Sequence, residues 1–313
     1  MTPHLGELAA LATACCWVVT ALSFEKAGKR IGSLSLNLIR LVMALLPLSL
    51  WGLIARGQVL PLDADGHTWM WLGLSALVGF VFGDLCLFRA FVLLGPRLAT
   101  LVMASAPVWA ALLSYLILGE SLTTMQILGM ALTIAGIGWA VSQRPASSPS
   151  PDGENAESTA TETPTQPSRW RWASSGLVMA FGGALGQAGG LVLSKHGMGD
   201  YDPFAATQIR VMAAVVGFSL VATAAGWWPR IVAAVRDRPA MGPTALGAIF
   251  GPFLGVGFSL VAIQLAPTGV AASLMATTPI LMLPVSWLRG ERFGWAGALG
   301  AVIAVAGVAV LFL

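Results

Sequence analysis

Leu101–Val108 reads LVMASAPV and Ser273–Ile280 reads SLMATTPI. At an offset of 172 the two octets superpose Met103 on Met275, Ala104 on Ala276 and Pro107 on Pro279, with Ser105 and Thr277 two residues ahead of each proline. Downstream, an offset of 171 sets Gly119-Glu120 on Gly290-Glu291, Gly129 on Gly300 and Gly136 on Gly307. Upstream, an offset of 170 sets Gly6 on Gly176, Ile39 on Ile209, Arg40 on Arg210 and Ala44 on Ala214. Two small gaps therefore carry one register through both halves of the chain, and self-similarity at this period marks an internal duplication.

The composition says where such a chain resides. Its 313 residues are 57% hydrophobic and 10% charged, against about 25% charged in soluble domains. With a mean hydropathy of +0.80 there is too little polar surface to cover a water-facing globule, which excludes a soluble enzyme and a nucleic-acid binder. A bilayer core about 30 Å thick takes roughly 20 helical residues. Ten stretches of that kind are predicted, at 5–27, 34–55, 69–91, 98–118, 123–142, 172–195, 204–226, 241–265, 269–288 and 293–313. The fold class expected is an all-α integral membrane protein of two inverted five-helix repeats, 1–142 and 172–313. Between them 143–171 has the Pro/Ser/Thr-rich, acidic composition of a disordered linker. Met1–Glu7 lacks a basic n-region, so the first apolar run reads as a retained span. Cys15, Cys16 and Cys86 all lie in apolar runs and imply no disulfide framework.

Five is odd, so the copies must enter the membrane in opposite senses, and charge tests this. Lys26, Lys29, Arg30, Arg89 and Arg97 follow spans one and three, whereas Arg56 alone follows span two. In the second half the parity reverses: Arg230, Arg236, Arg238, Arg289 and Arg292 follow spans seven and nine, and Lys195 alone follows span six. With Arg144, Arg169 and Arg171 of the linker, one face carries thirteen basic residues and the other two. The positive-inside rule then puts the linker in the cytoplasm and both termini outside.

Taken together, the aromatic Trp17 in the first span, the Arg in NLIRLVMA, Gly95-Pro96 before a Pro-containing fourth span, and LGESLTTMQILGMALTIAGI closing the half resemble the EamA-type members of the drug/metabolite transporter superfamily. The resemblance covers both halves. It implies ten helices around a central cavity, with small metabolites such as amino acids carried by alternating access, commonly outward across a cell (inner or plasma) membrane. It also implies cytoplasmic termini and a shorter linker, so the orientation stays open between the charge count and the resemblance.

Ionisable groups inside hydrocarbon are costly unless paired or wet. Asp84 stands about five residues before the end of span three, at the depth of Arg40, about seven residues into the antiparallel span two. It reads either as an acid alternating between Arg40 or Arg89 and a proton or substrate amine, or as a structural pair, or as a carboxylate at the headgroups. Val256 holds the equivalent position, so any acid-dependent coupling is asymmetric. Arg40 and Arg210 read as architectural, or, if they face the cavity, as bidentate receptors for a carboxylate.

Trp17 and Gln187 are equivalent mid-span residues: a cation–π face and a two-way hydrogen-bonder for a substrate, or packing and an interhelical bond. Pro107 and Pro279, with Ser105, Thr277 and Thr278, read as a gate or binding floor, or as packing kinks. Gly119-Glu120 and Gly290-Glu291 read as chain reversals whose Glu favours the following helix N-terminus. Glu25, Lys26, Lys195 and His196 read as solvated span ends. Gly129/Gly136 and Gly300/Gly307, spaced by seven, suggest tight packing inside each half or a homodimer seam.

The function expected is secondary transport, of the exporter kind that the resemblance implies, with a small-molecule substrate and the lipid bilayer as partners and no nucleic acid. No cofactor or metal is expected, and a proton gradient is left open as the driving force. A proton-independent facilitator and a non-transport intramembrane enzyme or scaffold are the alternatives. His4, His67 and His196 are scattered in sequence, and no HExxH, GxSxG or Walker pattern occurs.

Overall fold

The computed structural model of the chain describes residues 4–142, 169–282, 284–285 and 295–311, and among these every regular element is helical. Residues 143–168 of the predicted linker and Gly290-Glu291 lie outside the described residues, while the linker's last three residues, 169–171, are helical at the start of α7. In the first half α1 (Leu5–Ile31) turns at Gly32, whose φ of 74° only glycine adopts freely, into α2 (Ser33–Arg56). Next come α3 (Gly66–Ala76), a π-helical segment π1 (Leu77–Gly83), α4 (Asp84–Met103), α5 (Ala106–Leu118) and α6 (Thr124–Ser142). The second half holds α7 (Arg169–Met198), α8 (Pro203–Ala224), α9 (Trp228–Arg236), α10 (Arg238–Ala248), a second π segment π2 (Ile249–Gly255), α11 (Val256–Leu265), α12 (Thr268–Met275), α13 (Thr278–Leu281) and α14 (Trp295–Leu311).

Six helical segments among the described residues are long and apolar enough to cross a membrane: Leu5–Ile31, Ser33–Arg56, Gly66–Ala90, Ser175–Met198, Pro203–Ala224 and Arg238–Leu265. Three shorter apolar helices, Ala106–Leu118, Thr124–Trp139 and Leu299–Val310, accompany them. The break expected at Gly95-Pro96 is absent, because α4 stays helical through it. One proline removes a single amide donor, which a helix survives. The second half does break, at Ala266-Pro267, where Ala266 is extended (φ −133°, ψ 161°) as the residue before a proline prefers. Hydropathy also misses α9, a helix too short to span, which buries Ile231 and Ala234 and exposes Trp228, Val232 and Val235.

The halves interlock by exchange. α1 packs on α10, π2, α11 and α12 of the second half, while α7 packs on α3, π1, α4 and α5 of the first; α2 meets α8, and α6 meets α14. Every one of these pairs has its partner pair in the duplication. Glycines permit the closest contacts. A Cβ built on Gly136 would stand 2.4 Å from the Ala304 amide nitrogen, and one on Gly307 would stand 2.5 Å from the Thr133 nitrogen. The glycine repeats of α6 and α14 thus join the last helix of one half to that of the other within a single chain. Neither packing inside a half nor a dimer seam, the two roles expected, is what these glycines serve.

The two π segments are equivalent as well, since Leu77–Gly83 and Ile249–Gly255 are related by the offset of 172. Pro252 in π2 lacks an amide donor, and Gly79 and Gly83 in π1 lack side chains, so each segment can leave the α register and admit a neighbour. Gly186 and Gly190 of α7 lie on Gly83 and Gly79 of π1, and Cys16 and Thr20 of α1 lie on Gly255 and Gly251 of π2.

Candidate functional site

Around π1 three polar side chains meet inside the protein. Asp84, 8% exposed, begins α4 directly after the π segment. Its Oδ2 accepts from Arg40 Nη2 at 2.7 Å and from Asn37 Nδ2 at 3.1 Å. This is the structural pair among the readings of Asp84, and Arg89 is exposed rather than engaged. Asn37 precedes Arg40 by three residues and so shares its helix face, the one sign of its role in the sequence. The network is not saturated: Asn37 Oδ1 and Arg40 Nε are sealed from solvent without a partner. The Arg40 guanidinium also lies 5.2 Å from the Phe24 ring centroid.

Arg210, the duplicate of Arg40, lies at the other end of π1. It is buried, its guanidinium is 4.8 Å from the Phe80 ring centroid, and a Cβ on Gly79 would stand 3.5 Å from its Nη2. One π segment is therefore bracketed by two arginines, of which one has an acid. Trp17 is half-buried, whereas Gln187 is exposed. Yet Ala180, Gly183, Ala184, Gly190 and Ser194, the neighbours of Gln187 on its own helix face, are all buried. Gln187 is thus an exposed position on a mostly buried helix face. Gln187 donates to and accepts from no described group, so the interhelical bond proposed for it is not made.

Pro107 and Pro279 do not kink continuous helices. Each stands in the first turn of a new one, α5 or α13, after a break at Ala104-Ser105 or Ala276-Thr277. Ser105 and Thr277 donate to the Val102 and Leu274 carbonyls, both at 2.7 Å, and Thr278 donates to Met275 O at 2.8 Å. Their donor protons are spent on closing the broken turns, so only acceptor capacity remains for a substrate. The Pro279 side chain lies outside the described ones.

The two faces of the helical body differ. On the face with few basic residues Lys195 Nζ lies 2.5 Å from Glu120 Oε1 and donates to Ala266 O at 2.8 Å. Glu120 Oε2 accepts the Thr268 amide at 2.8 Å. Lys195 is ion-paired rather than solvated, and Glu120 caps α12 of the opposite half rather than its own α6, whose N-terminus is closed by reciprocal Thr123–Gln126 bonds. Tyr201 donates to Asp63 at 3.0 Å, Arg56 pairs with Asp63, and Gln208 Nε2 donates to Val59 O at 2.9 Å, again between halves. On the basic face Arg30 Nε pairs with Asp237 at 3.1 Å beside a cleft of about 520 Å³ that Arg30, Ser33, Ser35, Trp227 and Arg230 help to line. Both faces therefore carry ion pairs between the halves, and the basic face alone has the cleft beside its pair.

His67 and His196 converge on Trp71, with the His196 and Trp71 rings 4.6 Å apart, but among the described residues no group of three or more His, Cys, Asp or Glu could hold a metal ion.

The model of the EamA-like transporter family matches residues 4–142 and again 174–313. The chain belongs to that family. This EamA-like transporter is thus a multi-pass membrane protein of two repeats, and the exchanged helix pairs are how its repeats fit together. No curated protein matches it. Among solved structures, one protein crystal structure is 19% identical, covers 97% of this chain and 94% of its own, and superposes with a TM-score of 0.70. At that identity it shows the fold of the transporter and nothing of its substrate.

Proposed function

We propose that the chain is a secondary transporter that exports small metabolites, such as amino acids or related amphiphilic compounds, by alternating access between its two halves, 1–142 and 172–313, joined by the segment that precedes α7. The observation that carries this reading is the difference between the two faces: Lys195, Tyr201 and Gln208 make several polar contacts between the halves on one, while on the basic face a cleft lies beside the Arg30–Asp237 pair. Breaking one set of inter-half contacts and making the equivalent set on the other face is what an inverted duplication allows at little net cost, because the two arrangements are near copies.

Trp17 and Gln187, equivalent residues of the two helices that cross into the opposite half, are assigned to the cavity wall between the faces. Ser105, Thr277 and Thr278 with Pro107 and Pro279 stand at the paired helix breaks, where a floor can bend. Asp84, with Arg40, is assigned to coupling, since a buried carboxylate with a partly unsatisfied neighbourhood can exchange Arg40 for a proton or a substrate amine. No cofactor is invoked.

Efflux of labelled amino acids, amines and organic acids from proteoliposomes, with and without a pH gradient, tests the reading. Saturable efflux abolished by Trp17→Ala or Gln187→Ala is expected; correctly inserted protein that moves nothing on the panel overturns it. Full rate and full gradient dependence in Asp84→Asn would remove Asp84 from coupling and leave the facilitator.

A further inference from the structure

Thirteen of the 17 Lys and Arg residues lie on one face of the span pattern and two on the other, leaving Arg40 and Arg210 deep within helices. Arg40 is neutralised by Asp84. For Arg210 the equivalent acid is missing, because Val256 occupies the place of Asp84, and no carboxylate among the described residues pairs with it. Arg210 is nonetheless 5% exposed. A buried cation without an anion is strongly unfavourable, and a ring face at 4.8 Å offsets only part of that.

The guanidinium is placed to receive something. Its Nε is sealed and without an acceptor, whereas its terminal nitrogens, equally without a described acceptor, are not sealed. Nη2 lies beside Gly79, and a Cβ on Gly79 would also stand 3.3 Å from the Gly190 Cα, so two glycines keep side chains away from that edge of the fork. Gly190 is three residues from Gln187 on α7, hence one turn from that exposed side chain.

We propose, resting on the transporter reading above, that Arg210 is the receptor for a carboxylate on the transported compound. A single unpaired guanidinium balances one negative charge, and its planar fork matches a carboxylate in a bidentate way. A phosphate dianion would leave a net negative charge in the same site. The asymmetry between the repeats then has a use: the first-half arginine is occupied by the chain's own acid, and the second-half arginine is kept for that of the substrate.

The test uses the full chain in nanodiscs and a panel of amino acids and monocarboxylates, each matched with its amide and its decarboxylated amine. Thermal unfolding midpoints are read in wild type, Arg210→Met and Arg210→Lys. Expected are upward shifts with one or more carboxylates and not with their matched amides or amines, loss of those shifts in Arg210→Met, and weaker ones in Arg210→Lys, which keeps the charge but not the fork. Unliganded Arg210→Met should hold or raise the wild-type midpoint, since it removes an unpaired buried charge; a large drop would show a structural arginine and overturn the proposal. Equal shifts from acid and amide, no shift with any carboxylate, or full retention of the shift in Arg210→Met also overturn it. If Arg210→Met does not fold, an undiminished shift in Arg210→Lys counts against the site and a reduced one supports it. Flux of compounds without carboxylate preference would sink this assignment and leave transport standing, whereas Arg210-dependent binding without flux would do the reverse.

Discussion

Gly190 of α7 lies so close to Gly79 of π1 that a Cβ built on Gly190 falls 2.7 Å from the Gly79 Cα and 3.0 Å from the Ser75 carbonyl oxygen. Both obstacles are backbone and neither can rotate away. Gly190→Ala is therefore expected to lower stability by about 1–3 kcal/mol. Gly66→Ala, with nothing within 4 Å of its added Cβ, should stay within about 0.5 kcal/mol. Thermal unfolding in detergent compares the two, and an equal response would mean that the contact between α7 and π1 is looser than described.

The Arg40–Asp84 pair is separable by a double-mutant cycle. Asp84→Asn leaves Arg40 buried without its counter-charge and Arg40→Met leaves Asp84 so, and each should cost about 3 kcal/mol or more. The double variant should cost clearly less than the sum, because no charge is then stranded. Additive losses would show that the two residues act independently despite the 2.7 Å contact.

Burial alone would raise the Glu120 carboxyl, but the Lys195 ammonium and the Thr268 amide outweigh it and hold its pKa below the ordinary glutamate value. A folded-state value below the unfolded one means that the latch contributes stability above about pH 4.3 and loses it as pH falls through the lower folded value. Wild type should thus exceed Glu120→Gln by about 1 kcal/mol at neutral pH, and the difference should vanish on acidification. A gap that is unchanged by acid would remove Glu120 ionisation from the latch.

Gln187 bonds to nothing described and is exposed, so Gln187→Ala should unfold within about 0.5 kcal/mol of wild type while efflux falls at least several-fold. Unaltered efflux would take Gln187 off the cavity wall, and a stability loss comparable to that of Gly190→Ala would restore an interhelical role for it.

Much of the molecule is legible in its residues. The octets at 101–108 and 273–280 align because two equivalent helices break at the same place, and Met103, Pro107 and their duplicates stand at those breaks. The depth argument that put Asp84 level with Arg40 works because antiparallel helices rise by the same 1.5 Å per residue. Where the reading went astray, the deciding quantity was azimuth or partner. Lys195 and Glu120 look like helix-end charges free for solvent until α12 is set between them. The glycine pairs of α6 and α14 have the right spacing for a seam, but spacing does not say which helix lies across it. Ser105 and Thr277 look available in a string of letters, and are engaged by their own turns once the backbone bends.

From the sequence alone come the membrane environment, the two-fold repetition and the rarity of charge at depth, because hydropathy and period are properties of the chain that no packing can alter. Only the tertiary structure decided that α1 and α7 cross into opposite halves, that each meets a π segment there, that Asn37 joins Arg40 on Asp84, and that Arg210 is buried with no acid. Those follow from which faces of distant helices meet, and apolar residues of nearly equal hydrophobicity on every side of a membrane helix leave that choice to shape: to where glycines allow backbones to touch and where a polar side chain finds, or fails to find, a partner.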